Sequence, residues 1–70
     1  MAEGESKSVV EVHTTGGRTF QVVDNKTLRE VKRAIGDGEV LFILGDRDRT
    51  TPVAAFFNPE TVAAITSYPA

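Results

Sequence analysis

The residues that could carry out chemistry are few, and they begin with a single histidine. His13 is the only histidine in the 70-residue chain, and Glu11 lies two positions before it. Positions two apart on a strand share a face, so this pair could form a carboxylate–imidazole couple for acid–base catalysis. The pattern is more typical of two polar side chains on a solvated face. Since no cysteine or second histidine is present, we predict no metal site and no cofactor.

Motifs for nucleophilic or phosphate chemistry are also missing from the sequence. No Gly-x-Ser-x-Gly segment occurs, and the Gly16-Gly17 pair is not followed by the Lys-Ser/Thr of a phosphate-binding loop. Paired glycines between two apolar segments are typical of a tight turn, where they supply positive backbone angles. We therefore predict a turn at Gly16-Gly17, no catalytic residue, and a protein that is not an enzyme.

The most informative stretch runs from Gly38 to Pro59 and contains two apolar segments around a charged loop. The first segment is Val40 to Leu44, the loop is Asp46-Arg47-Asp48-Arg49, and the second segment is Val53 to Phe57. This order is typical of a β-hairpin. Neither segment alternates apolar with polar residues, so the apolar side chains on both faces of the hairpin must be buried against other parts of the protein or against a partner.

Composition limits how that cover can be supplied. A chain of this size buries only about 60% of its unfolded surface, so its core is small. With no cysteine, disulfides cannot compensate, and association is the remaining means of stabilisation. The formal net charge is −2, which lacks the basic excess typical of nucleic-acid binders. We expect a soluble cytoplasmic protein without a membrane segment.

The remaining segments predict one domain over residues 8–70, after a disordered lead-in over residues 1–7. Strands are expected at 8–13 and 18–23, and a helix begins at Thr27, which forms a capping box with Glu30. The helix carries an apolar stripe and ends at the glycines near position 38. Residues 61–68 fit a short strand or a helix, and we favour one helical turn at 59–61 followed by a strand.

These elements predict an α+β fold of the form ββαββ(β). We expect a strongly curled antiparallel sheet or partial barrel with one short helix. A single helix cannot cover both faces of the apolar hairpin. The chain is therefore predicted to be a non-enzymatic interaction module that forms a homo-oligomer through residues 39–57, with a protein partner as a further candidate. The candidate interface residues are Leu41, Ile43, Val53, Phe56 and Phe57.

A nucleic-acid-binding regulator is the alternative function. Lys26, Arg29 and Arg33 lie on the helix side away from the apolar stripe, and oligomerisation would multiply this basic ridge. The alternative predicts binding that falls steeply with salt. A solvated outer helix face explains the same residues, so we place this function second.

Overall fold

The chain folds as one helix and a five-stranded antiparallel sheet, α+β overall. The computed structural model describes residues 8–45 and 49–69. The predicted lead-in over residues 1–7 and the loop residues Asp46, Arg47 and Asp48 lie outside the described residues. The elements, in chain order, are β1 (Ser8–Thr14), β2 (Thr19–Val22), α1 (Leu28–Asp37), β3 (Leu41–Leu44), β4 (Pro52–Ala55), a 3₁₀ turn (Pro59–Thr61) and β5 (Val62–Pro69).

The sheet has the strand order β4-β3-β2-β1-β5, with every neighbouring pair antiparallel. Strands β4 and β5 are its two edges, and the sheet is not closed. The chain passes from one edge to the other through the short segment 56–61, which contains the 3₁₀ turn.

One face of the sheet, called the inner face here, carries the core. Val10 and Val12 of β1 lie beside Val22 of β2, and Leu41 and Ile43 of β3 continue the same face. The apolar stripe of α1 completes the core with Val31, Ala34 and Ile35, all buried. The other face, called the outer face, carries the residues that alternate with these along each strand.

The first hairpin turns through Thr15, Gly16 and Gly17. The Gly17 N–H donates to the Thr14 carbonyl at 3.0 Å, and the Thr14 N–H donates to the Arg18 carbonyl at 2.9 Å. Only Gly17 has a positive φ, of 88°; Gly16 does not. The expectation that both glycines supply positive angles is therefore wrong for Gly16, because this turn needs only its last residue in the left-handed region.

The helix is bounded by the signals that predicted it. The Thr27 hydroxyl accepts from the Glu30 N–H at 3.2 Å, and the Glu30 carboxylate accepts from the Thr27 N–H at 2.9 Å, which completes the capping box. At the other end Gly38 adopts φ 73°, the left-handed conformation that commonly terminates helices. Leu28, at the first turn, is more exposed than Val31 and Ile35.

The ambiguous segment after the hairpin is a turn followed by a strand. The Asn58 side chain caps the turn by accepting from the Glu60 N–H at 3.0 Å, and Pro59 occupies its first position. Strand β5 then pairs along β1 from Ser8 to Thr14. The prediction of one helical turn and a strand is confirmed, although this strand of 8 residues is the longest of the five.

Candidate interaction surface

The β3–β4 hairpin leaves a cluster of apolar side chains exposed. Val40 is 51% exposed, Phe42 48%, Val53 48% and Phe56 71%. Within β3, Phe42 lies between buried residues because alternate side chains point to opposite faces. These four residues, called the hairpin patch below, are large apolar side chains that no described residue covers fully.

The structure separates the five residues predicted for an oligomer interface. Leu41 and Ile43 are buried in the core beneath the helix, so they are not accessible on the surface of a single chain. Val53 and Phe56 are exposed, and Phe57 is half-buried against the core. The accessible side of β3 is the side that carries Phe42, a residue outside the predicted interface.

Phe56 and Phe57 lie just beyond β4, which ends at Ala55. The Phe57 ring packs on Phe20 of β2 with ring centroids 5.7 Å apart and planes tilted by 55°. This contact draws the segment after β4 towards the core and leaves Phe56 facing solvent. One phenylalanine therefore packs inside the chain and its neighbour belongs to the hairpin patch.

On the outer face, the strand register extends the apolar surface beyond the hairpin. Phe42 lies beside Ala54 of β4. On the other side of Phe42, its carbonyl accepts a hydrogen bond of 2.9 Å from the Val23 N–H. Farther across the sheet, Val9 of β1 pairs with Tyr68 of β5. The sequence did not predict this row of neighbouring outer-face residues, because no local sequence pattern specifies the register between strands that are distant in the chain.

The opposite end of the outer face is polar and contains His13. Its Nε2 atom lies 2.8 Å from the Thr66 hydroxyl and its Nδ1 atom lies 3.1 Å from the Thr19 hydroxyl. The imidazole therefore joins strands β5, β1 and β2. The Glu11 carboxylate lies 4.0 Å from Nε2. Because both ring nitrogens have partners, proton transfer or metal binding by His13 would require one of these bonds to break.

Tyr68 is anchored on the same face by its hydroxyl group. The hydroxyl donates to the Glu11 carboxylate at 3.2 Å. Partial desolvation, followed by the charge and hydrogen bond of Glu11, raises the pKa of Tyr68 above its ordinary value of 10.0, and the charge of Arg49 partly opposes the rise. The phenol is therefore neutral at physiological pH and serves as a donor.

Of the basic residues predicted for the outer side of the helix, Lys26 lies before α1, which begins at Leu28 after its cap Thr27. Arg29, Lys32 and Arg33 are exposed, whereas Lys26 is half-buried. The Glu30 carboxylate is engaged in the capping box. Within residues 8–45 and 49–69, no ion pair is formed by Arg29 or Arg33.

A depression of about 400 Å³ lies near the start of β1 and the end of β2. Its lining residues are Ser8, Val22, Val23, Asp24 and Asn25. The one carboxylate there, that of Asp24, accepts from the Phe42 N–H at 3.2 Å. This carboxylate therefore holds β3 at Phe42, and no second charged side chain of the described residues lines the depression beside it.

Among the described residues, no group of three or more potential metal ligands is present. No helix in the described part of the chain is long and apolar enough to span a bilayer. Comparison with protein families, curated proteins and solved structures finds no match.

Proposed function

We propose that the chain is a non-enzymatic interaction module that self-associates through its β3–β4 hairpin. The observation that carries this proposal is the hairpin patch, Val40, Phe42, Val53 and Phe56, exposed on the β3–β4 side of a small sheet, with Phe42 on the outer face and Val53 on the inner face. Large apolar side chains exposed together on one hairpin are typical of interaction sites. A second copy is the main partner, and another protein is a further candidate.

The energetics favour covering this surface. Burying a fully exposed phenylalanine stabilises by about 1.5 to 3 kcal/mol, and Phe56 is 71% exposed. The described part of the core has eight buried residues, five of them aliphatic residues from the strands. For so small a domain, a contribution of a few kcal/mol from association is a large share of the total stability.

We further propose that the sheet curls towards the inner face, as a partial barrel. Ala55 lies level with the Ser8 end of β1, and Val62 pairs with Thr14 at the other end. In a flat sheet these positions would be roughly 28 Å apart, from strand spacing and rise. The seven residue steps between them reach at most about 25 Å. Curling brings the two edges close enough for the connection and leaves both edge strands unpaired.

We propose a cytoplasmic setting, which suits a chain whose sequence contains no cysteine. In that setting the protein would act by assembly rather than by catalysis. The functional side chains would be apolar, and its polar outer-face residues would connect neighbouring strands.

The test of self-association is the dependence of thermal unfolding on protein concentration. A protein stabilised by assembly melts at higher temperature when it is more concentrated, whereas a monomer melts at the same temperature throughout. We expect the melting temperature to rise across a hundredfold concentration range. The variant Phe56→Ala should weaken that dependence, and Leu28→Ala, another exposed apolar residue away from the patch, serves as the control.

Nucleic-acid binding is the second candidate, favoured by one observation. The exposed guanidinium groups of Arg29 and Arg33 form no ion pair within the described residues, so they are available to phosphate groups. Titration with DNA and RNA at two salt concentrations tests this candidate. Affinity that falls steeply with salt would support it, whereas the self-association proposal expects no such binding.

A further inference from the structure

The edge strand β4 has unusually little to prevent another strand from pairing with it. Natural edge strands are commonly protected by charged side chains, proline or bulges. No charged residue occurs between Arg49 and Glu60, so all of β4 and both of its flanks are uncharged. Pro52 limits pairing only at the first position of the strand.

The two faces beside this edge are both incompletely covered. Val53 lies on the inner face beside Ile43, yet Ile43 is 3% exposed and Val53 is 48% exposed. Cover by the rest of the chain is therefore incomplete at Val53, although Ala55 of the same strand packs against the core. On the outer face, Ala54 is exposed beside Phe42. A strand added outside β4 would cover apolar surface on both faces at once, which a partner on a single face could not do.

The other edge differs in the side chains that it exposes. Among the exposed large apolar residues, Tyr68 is the one that lies on β5, and its hydroxyl is bonded to Glu11. The remaining exposed residues of β5 are two alanines, two small polar residues and the terminal Pro69. The apolar surface that needs cover is therefore concentrated at β4.

We infer that β4 pairs antiparallel with β4 of a second copy, which joins the two sheets at this edge; the inference rests on the proposed self-association. A two-fold axis perpendicular to the joined sheet keeps the inner face of one copy continuous with the inner face of the other. Residues that oppose each other across the axis must therefore lie on the same face, which means that their numbers are both odd or both even. Of the registers that satisfy this, we propose the one that keeps Pro52, which has no N–H, away from the residues nearest the axis. It places Ala54 opposite Ala54 of the second copy and Val53 opposite Ala55. The segment is thus complementary to itself, with large beside small on the inner face.

The expected complex is weak and reversible. Strand β4 has four residues, so the paired area falls in the class below about 1,200 Å² that is typical of transient complexes. A dimer that forms at micromolar concentration agrees with that size. Pairing of β4 with β5 of the next copy would instead be head-to-tail and would produce closed rings or open polymers rather than a dimer.

Cysteine cross-linking tests the register directly, because the chain has no cysteine of its own. Directly opposed residues of antiparallel strands have Cα atoms about 4.5 to 5.5 Å apart, within disulfide range. Under mild oxidation, Ala54→Cys should give a covalent dimer as its main product. The matched control is Ala64→Cys, an exposed alanine on the outer face of β5, which should stay largely monomeric.

Charge pairing supplies a second test that does not depend on oxidation. Ala54→Lys and Ala54→Glu should each be monomeric by light scattering, since like charges would oppose each other across the axis. Mixing the two variants should restore the dimer mass, whereas Ala64→Lys should behave like the unsubstituted chain. The mixing experiment requires both variants to be folded, and their melting curves establish this. If either variant is unfolded, the cross-linking experiment alone tests whether β4 pairs with β4.

The possible outcomes separate this inference from the proposed function. If the unsubstituted chain is dimeric but Ala54→Cys does not cross-link, or cross-links no better than Ala64→Cys, edge pairing through β4 is wrong and self-association stands. If Ala64→Lys abolishes assembly, the pairing involves β5 and the inference is also wrong. If the unsubstituted chain is monomeric at every concentration, both the inference and the proposed function fail.

Discussion

Phe56 and Phe57 are adjacent in the chain and lie in different environments. The Phe57 ring contacts Phe20, 5.7 Å away between centroids, whereas Phe56 is 71% exposed. The sequence predicts that the two should differ, from the alternation of side chains along an extended segment. It does not predict which one is internal, because that depends on the course of the chain after Ala55.

Replacing the two phenylalanines separately should have different consequences. Phe57→Ala should lower the free energy of unfolding by about 2 to 3 kcal/mol, somewhat less than for a fully buried ring. Phe56→Ala should leave the unfolding of the dilute protein within about 0.5 kcal/mol and weaken assembly. Denaturant unfolding at low concentration measures the first effect, and mass at high concentration measures the second. If both variants lost the same free energy of unfolding and neither changed the mass of the assembled protein, this assignment of the two phenylalanines would be wrong.

The two turn glycines should also respond differently. Gly17→Ala should destabilise by about 1 kcal/mol, because φ there is 88° and a side chain disfavours that region. Gly16→Ala should change stability by less than about 0.5 kcal/mol. A Cβ at Gly16 would lie 3.9 Å from the Thr14 hydroxyl oxygen, an ordinary contact. Equal losses of melting temperature for both variants would rule out this turn geometry.

Ionisation of Tyr68 can be followed without interference, since the chain has one tyrosine and no tryptophan. Its pKa in the folded state lies above 10.0, through desolvation and Glu11. The folded state therefore holds the phenolic proton more tightly, and this stabilisation is complete below about pH 10 and is lost as pH rises through the folded-state pKa. Phenolate absorbance should show a lower Tyr68 pKa in Glu11→Gln and no change in the control Glu60→Gln.

At the scale of single elements, local signals predicted much of the structure. The capping box at Thr27, the end of the helix near Gly38 and the turn capped by Asn58 are each encoded within a few neighbouring residues. Two features required more distant information. The alignment of Val9 with Tyr68 depends on the register of β1 with β5. The burial of Leu41 depends on which face of β3 meets the helix.

The helix offers a prediction about its exposed basic side. The double variant Arg29→Glu/Arg33→Glu should leave the melting temperature and the assembled mass nearly unchanged, because exposed charges contribute little to stability. Circular dichroism melting and light scattering measure the two quantities. A complex with DNA or RNA that is sensitive to salt and lost in the double variant would favour the nucleic-acid function instead.

At the scale of the whole molecule, the chain supplies cover for one side of its sheet. The helix and the segment containing Phe57 contact the inner face, while the outer face keeps Phe42 and Tyr68 about half exposed. The sequence predicted that one sheet face would lack cover, because both hairpin segments are apolar on both faces and the chain has one short helix to cover them. It misassigned part of the surface by including Leu41 and Ile43, since helix packing rather than composition decides which side of β3 is covered.

The central claim, self-association through the hairpin, is tested most directly by measuring mass in solution. Light scattering across low to high micromolar concentration should show the mass rising from that of one 7.6 kDa chain towards twice that value. Phe42→Asp, an exposed position on β3, should hold the mass at one chain while leaving the protein folded. A cooperative unfolding transition together with the mass of a single chain at every concentration would contradict the account.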